Sequence, residues 1–511
     1  MTARHLSFFG ATQTVTGSRY LLSLGDRRLL VDCGLFQGYK HLRLKNWMPL
    51  PFDPKALDAV LLTHAHIDHS GYLPLLVKQG FRGSIVATAA TIELCRILLP
   101  DSGHLQEEQA QFANRHRLSK HSPALPLYTE SDARACLAQF VQVSFGQSHE
   151  IGAGVAAKFT RAGHIPGAAS IHVDSCGRSV LFSGDLGRTN DPMMQAPEPP
   201  PAADYIVVES TYGGREHPHI DPMDELANAI NRAAGRGGSV LVTTFAVGRA
   251  QLLLLLTARL QASGRVPQLP IYLDSPMAIE ASELLRRFPD EHRMSEADID
   301  AIGSMVRPVR TSEESRRLDE PRSPAIILAA SGMATGGRVV HHLKTYAPEA
   351  RNVILFTGFQ AGGTRGASLV SGARTLRIHG QDIPVKAEVL QLSSISAHAD
   401  GPQLIDWLRQ MPGRPRQVFI THGEVAEADA LRRRVQNDLG WADHAGVSRR
   451  ARSYIRDKDA GSRYAMRSTG KHAAAPTRSS CDCRDCPGLM NRCPGSASLF
   501  QRRPRTSRVR S

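Results

Sequence analysis

Three histidines and an aspartate fall within six positions in Thr63-His64-Ala65-His66-Ile67-Asp68-His69, directly after the apolar run Leu57-Asp58-Ala59-Val60-Leu61-Leu62. Unpaired imidazoles and carboxylates are expensive to bury, so packing alone is a poor account of a buried strand that empties into them. Metal binding accounts for the pattern. Side chains at i and i+2 of an extended segment share a side, which lets His64 and His66 converge on one ion. Asp68 and His69 fall where the chain should turn into a helix, displaced enough to serve a second ion. Imidazole nitrogen mixed with carboxylate oxygen suits zinc, although manganese and iron accept the same ligand types. A polar loop with incidental histidines would explain one such residue better than four.

Other chemically loaded positions also follow apolar segments. Arg28-Leu29-Leu30-Val31 leads to Asp32, which could orient a ligand loop or simply cap a turn. His164 stands in the Gly/Pro-rich turn Ala162-Gly163-His164-Ile165-Pro166-Gly167 after an apolar stretch. Ser179-Val180-Leu181-Phe182-Ser183-Gly184 reads as a buried strand ending at Asp185, a position suited to a carboxylate bridging two metals. A further strand, Asp204-Tyr205-Ile206-Val207-Val208, ends in Glu209. A long α/β stretch then intervenes before His398 and His422.

The elements needed to position these residues are legible in outline. Tyr20 to Leu24 and Arg28 to Asp32 flank Gly25-Asp26 as a hairpin. Helices are expected over Leu73 to Gln79 and Thr91 to Leu99, with 101 to 135 helical or irregular. Within the long insertion, strands are expected near 239–244, 270–273, 324–329 and 352–357, and helices at about Asp224–Ala234 and Arg249–Ala262.

At 511 residues, 41% hydrophobic and 22% charged, the chain reads as a multidomain globular protein. The longest leucine cluster, Leu252 to Leu256, is far shorter than the roughly 20 apolar residues of a membrane span. The N-terminal residues lack an extended apolar signal core, so a cytoplasmic location is the expectation, without a membrane partner. The net charge of +14 is not spread evenly: Val447 to Ser511 holds 16 Lys and Arg against 4 Asp and Glu, leaving 46 against 44 elsewhere. Global basicity therefore says nothing about the substrate of the body. Cys33, Cys95, Cys136 and Cys176 are scattered as reduced thiols would be. Cys481, Cys483, Cys486 and Cys493 crowd a basic tail from about 456, where disorder is favoured over a zinc knuckle.

Asp32, His64-x-His66-x-Asp68-His69, His164 and Asp185 resemble the motifs of the metallo-β-lactamase superfamily. Glu209, His398 and His422 resemble motifs A, B and C of its β-CASP group of RNA-processing nucleases. Thr244-Phe245-Ala246-Val247-Gly248-Arg249-Ala250-Gln251, Leu273-Asp274-Ser275-Pro276-Met277 and Ser331-Gly332-Met333-Ala334-Thr335-Gly336-Gly337 extend the likeness, which runs from about Leu6 to about Ser448. A histidine at His422 resembles the RNA-cutting members, whereas DNA-cutting relatives usually carry an apolar residue there. Leu252 departs from the acidic residue that often follows the Gly-Arg-x-Gln pattern.

The resemblance implies an α/β protein: an αββα sandwich with an inserted α/β cap. Its parts are expected at 1–209 (sandwich), 210–384 (cap), 385–455 (return to the sandwich) and 456–511 (tail). It implies that His64, His66 and His164 hold one zinc, that Asp68, His69 and His422 hold another, and that Asp185 bridges them. Two cations about 3.5–4 Å apart can hold a hydroxide between them and neutralise charge on an in-line phosphoryl transition state. The expected activity is therefore zinc-dependent hydrolysis of RNA phosphodiester bonds, with Asp68, Glu209 and His398 as catalytic residues and His398, held by Glu209, protonating the leaving oxygen. His398 as an inert buried residue is the competing account.

Ser331, Gly332, Met333, Thr335 and Arg249 are candidate contacts to the substrate phosphate, although the Gly-rich turn could be purely structural. Arg338 could likewise line the cleft or be solvated, and His341 and His342 read as helix-surface residues. RNA is the expected partner, and a homodimer is compatible with the sequence. Two rival functions are a noncatalytic RNA-binding scaffold and a hydrolase of small thioesters or lactams. The first typically lacks ligands present here; the second leaves Glu209, His398 and the cap unexplained.

Overall fold

Tyr20–Leu24 and Arg27–Val31 pair antiparallel around the Gly25 turn, with Tyr20 opposite Val31. This hairpin sits inside the first of three large sheets in a computed structural model that describes residues 4–152, 154–320, 323–358, 360 and 362–441, with the backbone of Asp443–Ala445 and Ser453–Ile455. The tail from 456, including its four cysteines, lies outside the described residues.

Seven strands make each of the first two sheets. One runs Ser453–Ile455, Arg4–Phe8, Tyr20–Leu24, Arg27–Val31, Ala59–Leu61, Ser84–Thr88, Phe140–Val143; the other runs Asp443–Ala445, Gln417–Thr421, Tyr205–Glu209, Arg178–Phe182, Ala169–Ser175, Val155–Arg161, Ser148–Gly152. Their facing sides form one core, where Leu22, Leu29, Val31 and Leu61 meet Phe159, Ile171, Val173 and Phe182. Each such side chain contributes about 1.5–3 kcal/mol on burial. Helices cover the outer faces, which completes the expected αββα sandwich.

The insertion folds on a third sheet of six strands, ordered Val306–Pro308, Ile271–Asp274, Ile326–Ala329, Val240–Thr243, Val353–Phe356, Glu388–Gln391, all parallel. A parallel sheet needs cover on both faces, and successive residues supply it. Val240, Val242, Ile326 and Leu328 pack with the helix Arg249–Ala262, while Leu241, Ile327, Ile354 and Phe356 pack with Arg338–Tyr346. Leu252 is 3% exposed in the first of these cores. A carboxylate at that position would need a buried partner. The last strand of this sheet, Glu388–Gln391, lies four residues past position 384.

Two elements differ from expectation. The helix expected over Thr91 to Leu99 runs from Ala89 to Arg115, through Pro100. Its buried flank overrides the proline: Leu94, Leu98 and Leu99 join the core, and Gly103 lies against the Thr129–Glu130 backbone so closely that a Cβ would come within 2.7 Å of it. His342 is not on the surface. It is fully buried, with Nε2 2.6 Å from Asp274 Oδ2 and Nδ1 2.7 Å from Asp319 Oδ1. No helix among the described residues is long and apolar enough to cross a membrane.

Candidate active site

Five strands of the sandwich deliver chemistry at their C-terminal ends. Arg27–Val31 and Ala59–Leu61 are parallel neighbours ending at Asp32 and the His64 loop; Arg178–Phe182, Tyr205–Glu209 and Gln417–Thr421 are parallel neighbours ending at Asp185, Glu209 and His422. Parallel pairing brings those ends to one edge. His164 arrives from the turn after Val155–Arg161, where Gly163 and Gly167 both take positive φ.

The seven expected ligands meet there. His66 Nδ1 lies 3.1 Å from both His64 Nε2 and His164 Nε2. His69 Nε2 lies 3.0 Å from His422 Nε2, which is 3.4 Å from Asp68 Oδ2. Asp185 divides its oxygens between the two groups: Oδ2 is 3.5 Å from His64 Nε2 and 3.7 Å from His164 Nε2, while Oδ1 is 3.3 Å from His69 Nε2 and 3.5 Å from His422 Nδ1.

Neighbouring groups fix the imidazoles. Asp32 Oδ2 is 2.8 Å from His69 Nδ1, which makes Nδ1 the donor and turns Nε2 toward the cluster; burial works against protonation of His69, but the Asp185 and Asp32 carboxylates raise its pKa well above the ordinary imidazole range. The same carboxylate accepts from the Thr63 amide and hydroxyl, so it holds the whole ligand turn. Asp32 is therefore bonded to the histidine turn and is more than a cap on its own turn. His164 Nδ1 is 3.2 Å from the Ala397 carbonyl. Asp32 and His422 both have left-handed backbone, at φ 58° and 48°, a conformation that costs about 1–3 kcal/mol for a non-glycine residue and clusters at functional sites.

The electrostatics fit a cation. Burial holds His64 and His164 well below the ordinary imidazole range and His66 at about 4, so all three present neutral lone pairs. Burial raises Asp185 and Asp68, but neighbouring histidines more than offset it and keep both ionised. Asp185 is 2% exposed, its ion-pair partners are all histidines, and its Oδ1 has no hydrogen bond among the described residues. A buried carboxylate in that state needs positive charge. Three groups of residues have atoms close enough to share an ion: His64, His66, His164 and Asp185; Asp68, His69 and His422; and Asp185, Glu209 and His398.

Beside them stands a different pair. His398 Nδ1 faces both oxygens of Glu209, and the His398 ring lies 4.4 Å from that of His164. Burial works against protonation of His398, yet the Glu209 carboxylate outweighs it and raises the pKa. The His398 side chain is 19% exposed, against 1% for Glu209. Glu209 is pinned by the Leu186 amide at 2.6 Å and the Thr211 hydroxyl at 2.6 Å. Thr63 and Thr211 escaped the sequence reading, although each sits within two residues of a motif position. Hydroxyls next to ligands were the available signal.

The candidate phosphate contacts form their own group in the inserted unit. The Ser331 and Thr335 hydroxyls are 3.2 Å apart; the Gly332 carbonyl accepts from Thr243 and Gln360, and the Met333 carbonyl accepts from the Gly366 amide. Gly332 has a steric reason to be glycine, since a Cβ would lie 2.9 Å from the Phe245 ring. Arg249 opens its helix, 7% exposed, with Nε and Nη1 free of hydrogen bonds among the described residues. Burial lowers its pKa to about 10, against the opposing influence of Tyr212 and Asp191. Arg338 is committed elsewhere: Nη1 is 2.6 Å from Asp274 Oδ1 and also donates to the Val309 carbonyl.

Comparison with known proteins accounts for most of the chain. Residues 14–244 match the metallo-beta-lactamase superfamily, 250–369 the Beta-Casp domain, and 382–445 the Zn-dependent metallo-hydrolase RNA specificity domain. Ribonuclease TTHA0252 of Thermus thermophilus is 38% identical over 434 residues, 83% of this chain and 94% of that protein. Transcription termination factor FttA of Methanocaldococcus jannaschii is 30% identical over 453 residues, 84% of this chain and 69% of that protein. FttA of Cenarchaeum symbiosum is 30% identical over 453 residues, 83% and 67% respectively.

Proposed function

The chain belongs to the β-CASP group of the metallo-β-lactamase superfamily, and from that premise we propose that it hydrolyses RNA phosphodiester bonds with two bound zinc ions. The observation that carries this reading is the division of Asp185 between two histidine groups, with a His398–Glu209 pair alongside. His64, His66 and His164 would hold one ion, Asp68, His69 and His422 the other, with Asp185 shared. Five imidazoles to two carboxylates favour zinc over manganese, which prefers oxygen. When bound, the pair supplies Lewis-acid charge that activates water and offsets charge developing on the phosphoryl oxygens.

The chain's own residues supply the rest. Asp68 has a side chain 19% exposed, so its ionised carboxylate can meet solvent and accept a hydrogen bond from an attacking water. Glu209 fixes Nδ1 of His398, leaving Nε2 as the atom able to give a proton to the departing ribose oxygen. Burial of Glu209 and partial exposure of His398 set that direction: the carboxylate stays behind the imidazole, and the imidazole faces substrate. Arg249 and the Ser331, Gly332, Met333 and Thr335 turn would hold phosphates flanking the scissile one without reading bases.

The relatives named as a ribonuclease and as termination factors support RNA as the substrate class. The test is cleavage of end-labelled RNA and of matching DNA by the purified chain, before and after chelation and after zinc is restored. Chelator-sensitive cutting of RNA, recovered with zinc, is the expected result. Intact RNA under all conditions, with metal bound, would defeat the reading.

A further inference from the structure

Four of the ten large hydrophobic side chains exposed among the described residues fall between positions 39 and 48: Tyr39, Leu44, Trp47 and Met48, at 49, 53, 58 and 61%. Scattered exposed apolar residues need no explanation, but a cluster does. Lys40, His41, Arg43 and Lys45 are interleaved with them, and no Asp or Glu occurs from Cys33 to Phe52. Among the described residues neither Lys40 nor Arg43 forms a salt bridge with a carboxylate.

This segment is held in place. It forms a short helix, Lys40–Arg43, and a tight turn, Leu44–Trp47. Buried Asn46 clamps Phe36 from both sides, accepting from its amide at 2.9 Å and donating to its carbonyl at 2.8 Å, and Lys45 Nζ lies 4.7 Å above the Phe36 ring.

Its position follows from what it touches. The stretch leading to Phe36 lines the ligand turn: the Cys33 amide donates to the His69 carbonyl at 2.7 Å, the Leu35 amide to the Ile67 carbonyl at 2.9 Å, and Gly34 lies so close to the Asp68 carbonyl that a Cβ would overlap it. On the other side Tyr39 lies against the cap, where a Cβ on Gly363 would be 3.0 Å from its ring. That cap segment is bonded to the Ser331 turn through Gln360 and Gly366. The aromatic and basic segment therefore bridges sandwich and cap beside the candidate site.

We propose that Tyr39, Lys40, Arg43 and Trp47 form a platform for a single-stranded segment of the RNA substrate, its bases stacking on the two aromatic rings and its phosphates paired with the two cations. The proposal rests on the ribonuclease reading above and adds the surface that would hold the strand. Stacking platforms interleaved with basic residues suit single strands because a duplex hides its base faces. Tyr39 already stacks on His41, with centroids 5.6 Å apart and planes 19° from parallel.

The experiment measures binding of the full chain to a fluorescent single-stranded RNA and to a hairpin duplex of equal length, in a His398→Ala background that leaves RNA uncut. Tyr39→Ala with Trp47→Ala should weaken single-strand binding at least about 5-fold and leave duplex binding alone. Lys40→Ala with Arg43→Ala should flatten the salt dependence by roughly one phosphate contact or more. Trp47→Phe should abolish RNA-induced quenching of tryptophan emission. Unchanged single-strand affinity in the aromatic variant overturns the proposal, as does an equal loss for duplex. So does reduced self-association in light scattering with RNA affinity intact, which assigns the patch to a second copy. Cleavage by the parent chain is read separately: a parent that binds single strands through Tyr39 and Trp47 but never cuts defeats the ribonuclease reading and leaves the platform standing.

Discussion

Nδ1 of His398 lies 3.2 Å from each carboxylate oxygen of Glu209, across 189 positions of sequence. Under the proposed mechanism a histidine so held, beside the candidate ligands and partly open to solvent, moves a proton. His398→Ala should keep its metal, since none of the seven candidate ligands is touched, and lose about 10²–10⁴-fold in kcat. Metal content and turnover measured on one preparation check this. Undiminished RNA cleavage would remove His398 from the mechanism.

Glu209→Gln should act through the same pair with a different signature. The carboxylate outweighs burial in raising the His398 pKa, so its neutralisation should let that pKa fall. The acid form is then lost at lower pH, and the alkaline limb of the kcat profile should shift downward. A limb that stays in place would assign it to another group.

If the proposed ligand set holds metal, the effect of Asp32 should appear in metal affinity. It fixes the donor nitrogen of His69 and both polar groups of Thr63, so Asp32→Asn should cost about 10–100-fold in metal affinity. Competition against a chromophoric chelator reads this directly. Affinity equal to the parent would mean the turn is held by backbone alone.

The sequence exposed the candidate site better than it exposed its surroundings, and the reasons are local. His64, His66, Asp68, His69, Asp185, Glu209 and His422 each follow a short apolar run, and polar residues ending a buried strand are conspicuous against it. Helix limits were less visible: Pro100 reads as a stop, and only the packing of Leu94, Leu98 and Leu99 carries the helix past it. His342 reads as a surface residue beside the polar His341, yet it is buried. The stripe Val339, His342, Leu343, Tyr346 follows the i, i+3, i+4, i+7 spacing of a buried face, and that periodicity was the better guide.

Removing metal should destabilise the fold. Asp185 would then keep only histidine partners in a buried site, and a ligand that binds only the folded state contributes about 2.7 kcal/mol at a concentration 100 times its Kd. Chelation should lower Tm, and zinc should restore it. In Asp185→Asn the shift should shrink, because one of the two carboxylate oxygens divided between the groups becomes an amide nitrogen and the negative charge is lost. An equal Tm with and without chelator, at verified metal loading, would contradict this.

Buried Asp274 and His342, with the half-buried Asp319, should give the cap a pH-dependent stability of its own. Burial lowers the affinity of His342 for a proton, but hydrogen bonds to the two carboxylates override it and lift the pKa to about 9. The folded value lies above the ordinary 6.5, so the folded state binds the proton more tightly than the unfolded chain. That contribution is complete below about pH 6.5 and is lost as pH rises through about 9, a span worth on the order of 3 kcal/mol. Full burial leaves little solvent screening to reduce it. Deprotonation would leave Asp274 with Ser315 and Arg338, and Asp319 without its buried donor. Denaturant melts at pH 6 and pH 9 should therefore differ in the parent, and His342→Gln, which cannot titrate, should be less stable at pH 6 and nearly flat between the two. An equal slope in the variant would place the titrating group elsewhere.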